Sequence, residues 1–161
     1  MFLLLLNMQK ICGKIQYYIV GIEMNTFFEK QLKICGVDYF DFYLFHCLNR
    51  ESYAKHKRCN TFDIVKKLKE QGKIKHIAMS FHDTADVLDM ILKEQSCMEA
   101  VQLQINYLDY DDPGVQSKKC YDVAVKHGKK VIVMEPVKGG ALVNIPKEAS
   151  ELLNNLGNRS E

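Results

Sequence analysis

Apolar residues recur along this chain in two alternating rhythms. Four short dense runs rich in β-branched and aromatic side chains, Asp38–His46, Ile74–Phe81, Ala100–Leu108 and Lys130–Pro136, read as strands. Between them the apolar positions return every three or four residues, the spacing of helices that hide one stripe. Thr26 and Glu29 have capping-box spacing, Phe28, Leu32 and Cys35 follow on one face, and Gly36 stands where a left-handed cap belongs, predicting a helix over 26–35. Thr61 opens a second helix with Phe62, Val65 and Leu68 inward and Gly72 closing it. Asp83 or Thr84 opens a third, with Val87, Leu88, Ile91 and Leu92 inward. Asp112-Pro113 starts a fourth, which Val115, Cys120, Val123 and Ala124 carry to Gly128. Pro146 and Glu148 start the last, ending near Gly157.

Strands separated by whole helices run parallel, because no hairpin turn joins them. The pattern therefore predicts an α/β domain with a parallel sheet over residues 25–161. Residues 1–24 form an N-terminal segment of weaker pattern, in which Ile15–Ile22 could supply one further strand.

Composition narrows the partners. The chain has 161 residues, 22 basic against 20 acidic for a net charge of +2, 47% hydrophobic residues and no charge block, so it is an ordinary globular sequence. Its basic residues are interspersed with acids, which predicts neither nucleic acid nor an anionic membrane as partner. The apolar run Met1–Leu6 stops at Asn7 and lacks a basic flank, too short for a bilayer span and unlike a secretion signal. The six cysteines show no metal-ligand or redox spacing and read as free thiols of a cytoplasmic protein.

In parallel sheets with helical crossovers, ligands gather at the carboxyl ends of the strands. Here those ends carry Phe45-His46, Ser80-Phe81-His82-Asp83, Gln104-Ile105-Asn106-Tyr107, and Met134-Glu135-Pro136 followed by Val137-Lys138-Gly139-Gly140. An imidazole at a strand end suits proton transfer or carbonyl polarisation, although a lone histidine is more often structural. Gln104 is either an amide that reads a ligand or a core amide satisfied by backbone. His46, His82, Asp83 and Glu135 are ligand types for a metal, but their spacing demands none, and no metal is predicted. His56, His76 and His127 stand beside lysines and read as solvated surface.

Taken together, Phe28–His46, Gly72–Asp83, Val101–Tyr107 and Val131–Gly140 resemble the middle of an aldo-keto reductase, of the bacterial and protist type whose complete members often end in an iron–sulphur segment. The resemblance covers about residues 25–156. It implies part of a TIM (β/α)8 barrel, namely the equivalents of strands four to seven with their helices. It also implies nicotinamide-dependent reduction of an aldehyde or ketone with NADP or NAD as cofactor. By resemblance His46 is the catalytic histidine, Ser80 and Gln104 hydrogen-bond the nicotinamide carboxamide, and Met134 replaces a tyrosine that stacks on the nicotinamide in many members. Phe81 stands where many members have an asparagine.

The family's aspartate, tyrosine and lysine belong to the first three strands, and Met1–Met24 contains none of their motifs. No eighth strand or cysteine cluster for an iron–sulphur centre is found either. The expectation is a truncated oxidoreductase that lacks three of the family's four catalytic groups. The alternative is a non-catalytic half-barrel remnant that forms a homodimer, or binds another partner chain, through its open sheet edges. A third reading is an unrelated barrel or doubly wound enzyme that uses His46, Glu135 and Lys138 for other chemistry. The first reading requires the imidazole at 46, the hydroxyl at 80 and the carboxamide at 104 to share one mouth.

Overall fold

A computed structural model describes residues 13–15, 22–144 and 146–155. In chain order its elements are β1 (Gly13–Ile15), α1 (Ile22–Cys35), β2 (Phe40–Leu48), α2 (Arg50–Arg58), α3 (Thr61–Glu70), β3 (Ile74–Phe81) and α4 (Ala85–Glu94). There follow β4 (Ala100–Gln104), α5 (Ser117–Lys126), β5 (Lys130–Met134), a 3-10 turn at Lys138–Gly140 and α6 (Lys147–Asn155). The strands form one five-stranded sheet in sequence order, and every neighbouring pair is parallel. Each connection beyond β1 is helical, so all strands deliver their carboxyl ends to the same rim.

Several boundaries differ from the sequence expectation, each for a local reason. The further strand is described over Gly13–Ile15; of the expected Ile15–Ile22, Ile15 lies in that strand, Ile22 belongs to α1, and residues 16–21 lie outside the described residues. Thr26 lies inside that helix and caps nothing. Asp112-Pro113 does not start α5: the Asp112 Oδ1 accepts the backbone N–H groups of Gly114 at 2.8 Å and Val115 at 2.9 Å, folding the segment into a turn before Ser117. Helix α2 was not expected, since its sequence RESYAKHKR is nearly all polar. What nucleates it is a reciprocal cap. Asn49 Oδ1 accepts the Ser52 N–H at 2.8 Å, and Ser52 Oγ accepts the Asn49 N–H at 2.9 Å. The apolar run Met1–Leu6 lies outside the described residues.

The pleat sorts side chains onto two faces. Tyr43 and Phe45 of β2, Ile77, Met79 and Phe81 of β3 and Val101 and Leu103 of β4 pack outward beneath the helices. Phe42, Leu44, Ala78, Ala100 and Ile132 form a second cluster on the inner face. Strand order follows chain order and the inner cluster holds strand residues only, so the helices share one face, which is the arrangement of part of a (β/α)8 barrel wall. The helix side holds the larger core, where Phe28 of α1 meets Tyr43 edge-on at 5.0 Å and Phe40 at 5.7 Å.

Two histidines expected on the surface are held by the fold instead. His56 is buried, edge-on to Phe45 at 5.2 Å, and its Nε2 has no hydrogen-bond partner among the described residues. His127 is mostly buried, its Nε2 at 2.8 Å from Asp89 Oδ1, so it ties α5 to α4. His76 remains exposed, with its Nδ1 2.9 Å from Glu99 Oε2. No helix among the described residues is long and apolar enough to cross a membrane.

Candidate functional site

The inner face continues past its apolar layer toward the rim. Alternation from Phe42 and Leu44 puts His46 on this face, Ala78 is followed by Ser80, Ala100 by Gln102 and Gln104, and Ile132 by Met134. The four site residues expected from the sequence, His46, Ser80, Gln104 and Met134, thus line one face at one end of the sheet. Register joins them further. Gln104 is the Cα partner of Met134, and Ser80 is the Cα partner of Gln102. Sequence reading overlooked Gln102. The available signal was its parity with Gln104 along β4.

Strand β2 loses register with β3 between Phe45 and Leu48, and Cys47 adopts a left-handed φ of 55°. Such a conformation in a non-glycine residue persists only when its surroundings impose it. Here the Cys47 N–H donates to Ser80 Oγ at 2.7 Å, and the Ser52 hydroxyl donates to the Cys47 carbonyl at 3.1 Å. The bulge therefore fixes the Ser80 oxygen from one side and leaves its proton to be given elsewhere. It also turns the strand immediately after His46.

His82 follows Ser80 onto the rim, its backbone N–H bonded to the Leu48 carbonyl at 2.9 Å. Loss of solvent around the His82 ring, and then the neighbouring His46 imidazole, push its pKa below the usual histidine value. The two rings are therefore close enough that both do not readily carry a proton. Asp83 accepts the N–H of Arg50 at 2.8 Å and of Thr84 at 2.7 Å, so it serves the starts of α2 and α4. Among the described residues no three His, Cys, Asp or Glu side chains converge as a metal site does.

The ends of β4 and β5 are linked by Asp109, a buried acid that sequence reasoning also missed. Its Oδ2 accepts Gln104 Nε2 at 2.7 Å and Asn106 Nδ2 at 2.8 Å, and its Oδ1 accepts Lys138 Nζ at 2.5 Å. The Lys138 ammonium, helped by the amides of Asn106 and Gln104, holds the carboxyl down at about 2. Lys138 and Glu135, which the third sequence reading paired with His46, both take left-handed φ values, 48° and 56°. Lys138 is already committed to Asp109. Phe81 belongs to the helix-side core and offers no polar contact where many family members have an asparagine.

Beside Gln104 lies a cleft of about 200 Å³ between the loops that follow β3 and β4, lined among others by His82, Asp83, Ser117 and Cys120. Burial pushes the Cys120 thiol up to about 11, so it stays protonated and unreactive.

With the half-barrel and its rim in place, comparison identifies the class. The chain belongs to the aldo/keto reductase family, whose sequence model matches residues 14–156. Among solved structures, an aldo/keto reductase from Brucella melitensis is 25% identical with a TM-score of 0.63, over 90% of this chain and 52% of that one. One from Klebsiella pneumoniae, solved with NADP and acetate, is 19% identical with a TM-score of 0.62, over 90% of this chain and 49% of that one. A mutant of Gox0644 solved with NADPH is 14% identical with a TM-score of 0.69, over 89% of this chain and 50% of that one. The chain thus spans about half the length of the solved relatives it matches. No curated protein matches it.

Proposed function

We propose that this chain carries part of a nicotinamide-dependent oxidoreductase site that reduces a small aldehyde or ketone, with NADP or NAD as cofactor. The observation that supports this most is the convergence of His46, Ser80, two glutamines and Met134 on the inner face at one strand end. The residues suit such a cofactor. A carboxamide needs one donor and one acceptor close together, and Ser80 supplies a hydroxyl proton while the adjacent glutamine supplies a carbonyl. Met134 offers a polarizable, partly exposed surface against a flat ring.

When bound, the cofactor supplies hydride to a carbonyl carbon. The part of His46 is to point an imidazole N–H at the carbonyl oxygen and polarise it. Its neighbour His82, held below the usual histidine pKa, stays neutral near pH 7 and does not compete for the proton. The family resemblance assigns the proton-donating tyrosine to none of the described residues. Positioned proton transfer is worth roughly 10²–10⁴-fold, so the chain alone is expected to turn over slower than a complete member by at least that factor.

Titration of the purified chain with NADPH and NADH, followed by nicotinamide fluorescence, tests the reading. Ser80→Ala and Gln102→Ala are each expected to weaken binding about tenfold, the worth of one well-placed hydrogen bond in a dry site. Absence of binding at millimolar cofactor would overturn the proposal.

A second reading, a half-barrel that self-associates without catalysis, is favoured by β5. Its residues Val131–Met134 are all partly exposed, and no further strand pairs with it among the described residues. An unpaired apolar edge is a template for another chain. Sedimentation at increasing concentration distinguishes the cases, a concentration-independent monomer counting against this second reading.

A further inference from the structure

We infer that Asp109 is a positioning residue that fixes the hydrogen-bonding polarity of Gln104, so that this edge of the mouth accepts a hydrogen bond and selects a ligand group that donates N–H or O–H. The Asp109 side chain is 3% exposed and is met by donors from two loops. A carboxylate has acceptors only. Any amide that touches it must therefore present its NH2 end, which forces Gln104 Nε2 and Asn106 Nδ2 toward Asp109. Asn106 confirms the rule independently, because its Oδ1 faces the other way and accepts the N–H groups of Leu108 at 3.1 Å and Asp109 at 2.9 Å.

Lys138 supplies the countercharge that keeps the carboxylate ionised in so dry a place. The backbone of Gln104 is pinned as well, its carbonyl accepting the Ser117 hydroxyl at 2.6 Å. The remaining group is Gln104 Oε1. It has no hydrogen-bond partner among the described residues, and alternation along β4 puts the half-buried Gln104 side chain on the inner face at the rim. A ligand that places another acceptor there meets repulsion, and one that places a donor there meets a fixed acceptor.

This inference rests on the oxidoreductase reading for the identity of the ligand, and two groups have the required chemistry. One is the NH2 of a nicotinamide carboxamide, the other a hydroxyl on the carbonyl substrate. Calorimetry distinguishes them in two arms. The first compares NADPH with its 3-acetylpyridine analogue, which has a methyl ketone in place of the carboxamide and no N–H to give. The second compares glycolaldehyde with propanal. In one arm the chain is expected to prefer the donor-bearing member about tenfold. That preference should vanish in Asp109→Asn, whose amide lets Gln104 turn over, and in Gln104→Met, which keeps the shape but not the acceptor. Affinity for the donor-less member should stay nearly constant, which a merely structural role for Asp109 would not produce. An unchanged preference in both variants overturns the inference.

A ligand-free readout separates this inference from the reading it rests on. In ¹⁵N-edited NMR spectra the Gln104 side-chain NH2 protons should exchange slowly with water, and faster in Asp109→Asn. Slow exchange without any cofactor or carbonyl binding would sink the oxidoreductase reading and leave the polarity of Gln104 standing. Fast exchange in the unmodified chain would sink the polarity itself.

Discussion

Truncation of Phe28 to alanine is expected to destabilise the chain by about 3–5 kcal/mol, a large share of the margin of about 5–15 kcal/mol by which domains are stable. The side chain is fully buried in α1, and its ring meets the rings of Tyr43 and Phe40 edge-on. Removing it opens a cavity against β2, and β2 is the strand that ends in His46. The loss should therefore reach the mouth as well as the core. Urea unfolding measures it as a lower midpoint at an unchanged slope. Ile34 on the same helix is 84% exposed, so Ile34→Ala should fall within about 0.5 kcal/mol of the parent. Equal losses for the two variants would mean that α1 does not pack as described.

Acid should destabilise the chain well before its carboxylates titrate. Burial lowers the pKa of His56 from 6.5 to about 4. Between those values the unfolded chain binds a proton that the folded chain refuses, so stability is fully present above pH 6.5 and declines as the pH falls toward 4. At 1.36 kcal/mol for each pH unit the loss approaches about 3 kcal/mol. His82, shifted in the same direction, adds to it. Asp109 acts lower: its carboxylate stabilises above 3.8, and that contribution disappears only as the pH falls through about 2. Unfolding midpoints at pH 7 and pH 5 should therefore differ clearly in the parent and much less in His56→Phe, which keeps a ring against Phe45 and Phe62 and binds no proton. A parent midpoint unchanged between the two pH values would contradict the burial of His56.

How much of this could be read from the chain depended on what each residue's role rested on. Strand β3 was legible to the residue, because IKHIAMSF is a β-rich run bounded by Gly72 and Asp83. Parallel pairing followed from the helices between strands. His46, Ser80, Gln104 and Met134 could be picked out as a set because each stands at or near the carboxyl end of a strand, and those ends meet in this architecture. Helix α2 was not, because its polar sequence hides a cap made by two small side chains, Asn49 and Ser52. His56 looked like a surface residue among lysines, and only the packing of α2 against Phe45 and Phe62 buries it. Asp109 and Gln102 depend on register and on a loop returning to its own strand, relations between distant positions that hydrophobic spacing does not encode. The Cys47 bulge belongs to the same class, since its partner Ser80 lies on another strand.

The central claim is that the inner face at the carboxyl ends of β2 to β5 is a nicotinamide-binding mouth. Methionine methyl NMR tests it without any need for turnover. Met134 lies on that face, whereas Met24, Met79 and Met98 are buried in the helix-side core. Addition of NADP⁺, whose oxidised nicotinamide ring is aromatic, should move the Met134 methyl upfield by ring current and leave the other three in place. A Met134 methyl that stays fixed at saturating NADP⁺, or shifts shared with the three core methionines, would contradict the assignment of the mouth.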